Sequence, residues 1–267
     1  MNTVTYRRKM IRSGDVIEVE IYPVYALPTA RGKKRSKSRA AQQALNDKNR
    51  LKNLVRMVNA NFTEKDFFVT LTFSDDNIPE TPQEARRFLK NYLARLRRKC
   101  TSPAQFKWLA VLELDGRYHF HVLLAGVSAD DISEQWCHGI CSISRLRKID
   151  GAFTALAKYY GKHGKKQNGE HIDGCKTWTG SRNLVKPVVT VSDSAVTARR
   201  VREYICAHDE TELYKLLKKS IREDYEIRDI ERGDLCECED WQCFEKNYQI
   251  NDISGYYLYV SYVRRSK

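Results

Sequence analysis

Two histidines stand one residue apart in the stretch DGRYHFHVLL, Asp115 to Leu124. The whole sequence holds six histidines, so His119 and His121 inside one apolar run need an explanation. Side chains alternate between the two faces of a strand, so positions i and i+2 project together. FKWLAVLEL before the turn Asp115-Gly116-Arg117, and YHFHVLLA after it, read as a β-hairpin. If the turn is a three-residue loop with a bulge, Leu114 pairs with Tyr118 and Glu113 lies across from His119. Directly opposed residues share a face, so Glu113, His119 and His121 would converge. A two-residue loop puts Glu113 on the opposite face instead. Two imidazoles and a carboxylate leave positions open on a divalent ion. There the ion can act as a Lewis acid on a phosphoryl oxygen. The bland alternative is a pair of satisfied core or surface histidines.

A second grouping lies downstream in KYYGK, where Tyr159 and Lys162 are three apart and share a helix face. A tyrosine can form a covalent intermediate. While protonated it is a poor nucleophile, with an ordinary pKa of roughly 10. A neighbouring cation favours the phenolate, and Lys162 would supply it or steady a phosphate. Tyr-x-x-Lys by itself is a common packing pattern. Beside a histidine pair on a basic chain it carries more weight. Tyr160 is adjacent and points about 100° away round a helix.

The elements that must carry these groups follow from periodicity. Residues 3–25 alternate and turn at Ser13-Gly14-Asp15, a β-hairpin. RGKKRSKSR (31–39) is either a solvated linker or a phosphate-tracking arm through Lys33, Lys34 and Arg35. Residues 40–59 place Leu45, Leu51, Leu54, Val55 and Val58 at helical spacing. FFVTLTF (67–73) is uncharged and reads as a central strand buried on both faces. In 81–100, Thr81 and Glu84 form a capping box with Pro82 at the first helical position. Ala85, Phe88, Leu89, Tyr92, Leu93 and Leu96 make that helix's buried stripe, and its other face is rich in Arg and Lys. A short capped helix (128–137), a strand (139–146) and a helix from Asp150 to about Lys162 follow. The last third reads as helical over 194–221, acidic and solvated over 223–240, and a strand over 255–263.

Lys and Arg number 47 against 34 Asp and Glu, a net charge of +13, which favours a polyanionic partner such as nucleic acid. No apolar run approaches the ~20 residues of a membrane span. The N-terminus lacks an apolar signal core, so the expectation is a protein that stays in the cytoplasm without a membrane partner. Eight cysteines in such a chain read as reduced thiols.

Taken together, FVTLTF, then HFH with an upstream Glu, then KYYGK resemble the three ordered motifs of the HUH endonucleases (His-hydrophobic-His). VNANF, WCHG and TGSRNLVKP (179–187) make the context similar to replication-associated (Rep) proteins of bacterial phages and plasmids. The resemblance covers roughly residues 45–190. It implies an α+β fold, a central antiparallel RRM-like β-sheet flanked by helices, with N- and C-terminal additions. The corresponding division is a hairpin and basic arm (1–40), an HUH core (41–192) and a C-terminal region (193–267) whose last strand returns to the core. It implies Mg²⁺ or Mn²⁺ held by His119, His121 and Glu113, and Tyr159 attacking single-stranded DNA with Lys162 beside it. The product would be a 5′-phosphotyrosine link and a free 3′-OH. Ala155 stands four before Tyr159, which fits a single-nucleophile type. The implied partner is a replication origin, expected to be a stem-loop, in a bacterial host cell. No G-x-x-x-x-G-K-[ST] loop occurs, so a host helicase and polymerase would be needed. A relaxase or transposase shares the chemistry, and a non-catalytic single-strand-binding module shares the sheet. A two-His-one-carboxylate iron oxygenase fits the charge poorly.

Three further features each carry two readings. Cys236, Cys238 and Cys243 could hold zinc, although the spacing is not a pair of C-x₂-C units, or they are reduced thiols in an acidic loop. Ser181 and Arg182 either contact the DNA backbone or belong to a loop packed on the sheet. Trp178 either stacks on an unpaired base or packs internally.

Overall fold

The computed structural model describes residues 5–24, 39–154, 156, 178–205, 207, 210–232 and 257–265. It is α+β, with two antiparallel five-stranded sheets and flanking helices, in agreement with the expected class. The chain divides into two compact units, one of residues 44–149 and 153–186, the other of 1–43, 150–152 and 187–267.

In the first unit the sheet is built from β3 (Phe67–Phe73), β4 (Lys107–Asp115), β5 (Arg117–Ala125), β6 (Gly139–Arg145) and β7 (Thr179–Gly180), in the order β6-β3-β5-β4-β7. Val69, Leu71, Phe120, Val122, Ala110 and Leu112 turn to one face. There they meet α2 (Pro82–Lys99) and α3 (Ala129–Glu134). α2 buries Ala85, Leu89, Tyr92, Leu93 and Leu96, with Phe88 packed part-buried beside them. Thr81 caps it by accepting from the Glu84 amide at 3.2 Å. Glu84 reaches back to the Glu80 amide at 3.0 Å, one residue earlier than a capping box requires. The other face, with Leu109, Val111 and Leu123, is covered by Leu54, Val58 and Phe62 from the end of α1 (Arg39–Asn61) and beyond, and by Phe153.

β3 is not buried on both faces. Phe67, Val69, Leu71 and Phe73 are buried, whereas Phe68, Thr70 and Thr72 are part-exposed on the other face. The two threonines break the apolar run at period two, the sign of a half-polar strand.

The second unit holds β1 (Thr5–Ser13), β2 (Val16–Val24), β8 (Val188–Ser192), β9 (Tyr225–Arg232) and β10 (Leu258–Arg264), ordered β8-β1-β2-β10-β9. Helices α4 (Ala198–Ile205) and α5 (Glu210–Lys218) contribute Val201, Tyr204, Leu213 and Leu217 to its core. The terminal strand, expected to return to the sheet of the HUH strand, pairs instead with β2 and β9. An isolated two-stranded hairpin is marginal in water, so β1–β2 needs further strands, and the Tyr/Val alternation of β10 fits its open edge. The expected solvated acidic segment begins with a strand, β9. A bulge where Arg228 has no partner in β10 lets Tyr225, Ile227 and Ile230 all pack into the same core. That spacing hides the strand from a period-two reading. β8, which the sequence reading does not anticipate, is an edge strand with Val188, Val189 and Val191 exposed.

Candidate metal centre

The β4–β5 register decides the site. Asp115 pairs with Arg117, Leu114 with Tyr118 and Glu113 with His119. Gly116 sits at the apex with φ +69°, a left-handed conformation that glycine adopts without strain. The turn therefore takes the form that brings Glu113 to the histidine face. Across the other edge of β5, Thr70 is opposite His121 and Thr72 opposite His119.

The three side chains meet. His119 Nε2 lies 2.7 Å and His121 Nε2 2.8 Å from the same atom, Glu113 Oε2. Their side chains are 17%, 4% and 12% exposed for His119, His121 and Glu113. The imidazole rings are perpendicular, with centroids 5.1 Å apart. Each remaining ring nitrogen faces an oxygen: His119 Nδ1 the Arg117 carbonyl at 3.3 Å, His121 Nδ1 the Thr70 hydroxyl at 3.2 Å. An Nδ1–H donated to those oxygens leaves both Nε2 atoms with lone pairs turned inward. Phe68 stacks on His121 at 5.8 Å between centroids and holds the ring's plane. At the rim, Arg117 donates to the Phe73 carbonyl and pairs with Asp75 at 3.0 Å.

The donor set suits a divalent ion. One ligand atom from each of Glu113, His119 and His121 lies within 4.8 Å of the others, so the group can hold a metal. Two nitrogens and one carboxylate oxygen leave coordination positions for other oxygens. The sequence reading misses Thr70 and the Arg117 carbonyl. The threonines at period two in VTLTF are the available signal for Thr70; a backbone carbonyl leaves none.

Tyr159 and Lys162 lie outside the described residues, as do Lys33, Lys34, Arg35 and the three cysteines 236, 238 and 243. The segment leading to Tyr159 is described as far as Thr154, and again at Leu156. Phe153 and Leu156 pack with Leu109, Val111 and Leu123, on the sheet face that also carries Glu113, His119 and His121. Ser181 serves the sheet: its hydroxyl accepts from the Trp108 amide at 3.2 Å, and its own amide donates to the Trp108 carbonyl at 2.9 Å. Arg182 is exposed beside it, and Trp178 is part-buried against the core under α1.

An antiparallel sheet with a two-histidine, one-carboxylate centre on its middle hairpin defines a protein equipped to hold a metal ion beside an open face. Residues 66–164 match the family model of the replication-associated protein ORF2. That stretch runs from the start of β3 through the metal-binding hairpin to the KYYGK segment, and covers less than half of the chain. It carries the sequence of a replication-associated protein family, as the three ordered motifs implied. No curated protein and no solved structure matches the chain. Among the described residues no helix is long and apolar enough to cross a membrane.

Proposed function

We propose that this replication-associated protein initiates rolling-circle replication by nicking and rejoining single-stranded DNA. The observation that carries the reading is the convergence of Glu113, His119 and His121 on one point of the sheet. A bound Mg²⁺ or Mn²⁺ would polarise the scissile phosphate as a Lewis acid. The two imidazoles and Glu113 fix where that phosphate lies, and the Thr70 and Arg117 oxygens keep the rings in the ligating orientation.

Tyr159 is the nucleophile. Its phenol oxygen forms a bond to phosphorus, the bond to the 3′-oxygen breaks, and that oxygen leaves with a proton as a 3′-OH. The 5′-phosphate remains on the tyrosine. Lys162 stabilises the phenolate or the phosphate. The free 3′-OH primes a host polymerase, and a host helicase opens the duplex. Attack of a 3′-OH on the phosphotyrosine reverses the bond changes and releases the strand. Packing of Phe153 and Leu156 on the sheet face of the histidines supports this, because the segment bearing Tyr159 departs from that face. The basic arm with Lys33, Lys34 and Arg35 would track duplex phosphates beside the origin, which is expected to be a stem-loop.

The test is a denaturing gel after incubation with single-stranded origin DNA and Mn²⁺. Wild type gives a protein–DNA adduct, Tyr159→Phe gives none, and His119→Ala and His121→Ala abolish cleavage. An adduct with Tyr159→Phe moves the nucleophile, with Tyr160 the next candidate. Binding by wild type without any adduct on its cognate origin reduces the protein to a single-strand-binding module.

A further inference from the structure

The sheet that carries the metal centre has a groove on its opposite face. It is a cavity of about 880 Å³ between α2, the start of β4 and the loop after β7. Its floor is apolar, with Leu93, Phe106 and Trp108. Arg86, Lys90, Arg97 and Arg182 stand round it, and no acidic residue lines it. Among the described residues none of these four cations has an ion-pair partner. Elsewhere on the same helix Arg87 is neutralised by Glu84, so the bare cations belong to the groove side.

The wall holding Arg182 is anchored on both sides. Ser181 is bonded to the Trp108 backbone in both directions. The Asn183 amide donates to the carbonyls of Ala104 and Phe106, each at 3.0 Å. Arg182 is the residue between these anchors and is kept at the rim.

We infer that this groove is a second binding site for single-stranded DNA, separate from the metal centre. The chemistry selects the occupant. Uncompensated cations attract a polyanion. An apolar, aromatic floor accepts unpaired bases, which stack on aromatic side chains without sequence preference. A duplex keeps its bases stacked inside and offers the floor nothing. The occupant's place in the cell rests on the replication function proposed above. A chain that nicks one strand at the hairpin would hold another part of the same strand here.

Binding is measured with the full chain in EDTA, by fluorescence anisotropy of labelled dT12 and of a 12-base-pair duplex. Arg97→Glu combined with Arg182→Glu is compared with Lys215→Glu combined with Lys219→Glu, two exposed lysines of the second unit. Both pairs change the net charge equally. The groove pair should weaken dT12 binding tenfold or more, and the control pair less than twofold. The slope of log affinity against log salt should fall by about 1.4 for two lost single-strand phosphate contacts. Arg86→Glu with Lys90→Glu, a second groove pair, should give the same result. Equal losses for groove and control pairs would leave only general charge attraction and overturn the site. An equal or greater loss on the duplex would make the groove a duplex site, which also overturns it. Without metal no nicking is involved, so failure here leaves the Tyr159 gel result untouched. Conversely, loss of the adduct reading leaves dT12 binding standing.

Discussion

Glu113 Oε2 receives both histidine Nε2 atoms, so its charge is the common partner of the cluster. Glu113→Gln keeps the shape and removes the charge. Calorimetric titration with Mn²⁺ should show affinity lowered at least tenfold, with the circular dichroism spectrum unchanged. Thr70 acts one bond further out. Thr70→Val keeps the β-branched shape but deletes the oxygen facing His121 Nδ1, freeing the ring to turn or change tautomer. Loss of such an outer partner typically costs roughly 10–100-fold in metal affinity. Thr70→Ser, which restores the hydroxyl, should recover most of it. Rescue by serine separates an orienting hydroxyl from simple packing.

The hairpin β4–β5 positions the centre, and β3 supplies its outer partner, so the pairing of β3 matters to both. β6 can approach β3 only because residue 139 is glycine. Its φ is +150°, and a Cβ there would collide with the Thr72 carbonyl and the Ser74 amide. Gly139→Ala should destabilise the first unit by more than about 1 kcal/mol in urea unfolding, since alanine is incompatible with that backbone. Next to it, His138 packs on Phe88, with ring centroids 4.5 Å apart. Burial first, and then the Arg95 guanidinium, lower its pKa below the ordinary value. The folded state thus binds this proton less readily than the unfolded chain. Its contribution is complete above the unfolded value, roughly 6.5, and is lost as pH falls towards the lowered folded value. Urea midpoints followed by tryptophan fluorescence should fall between pH 7.5 and 5.5, and fall less in His138→Asn.

For the molecule as a whole, a metal that binds only the folded sheet must stabilise it by mass action. At a free Mn²⁺ concentration of one hundred times Kd the gain is about 2.7 kcal/mol. Thermal melts should rise with Mn²⁺ in wild type and stay fixed in His121→Ala. EDTA should return the wild-type melt to its metal-free value without unfolding the protein, because the sheet's core of Val69, Leu71, Phe120 and Val122 is independent of the site. The net charge of +13 predicts a further global property. Binding to any single strand should weaken steeply with salt, while the metal affinity of the part-buried centre should change little.

Local periodicity determined much of this protein. The spacing of His119 and His121, the cap and stripe of α2 and the ends of the N-terminal hairpin all follow from alternation or helical repeat, which a sequence displays directly. Turn chemistry narrowed the position of Glu113 to two choices, and the Asp115–Arg117 pairing decided between them. Which strands become neighbours was settled by tertiary structure alone. β10 pairs with β2 and β9 across most of the chain length, and no local pattern encodes that choice. The bulge at Arg228 places Ile227 and Ile230 on one side and so erases the alternation that would have marked β9. Thr70 gained its role only when β3 lay beside β5. The bare cations of α2 became a groove only when Ser181 and Asn183 fastened Arg182 opposite them. Periodicity specifies the faces of an element; long-range packing specifies what those faces meet.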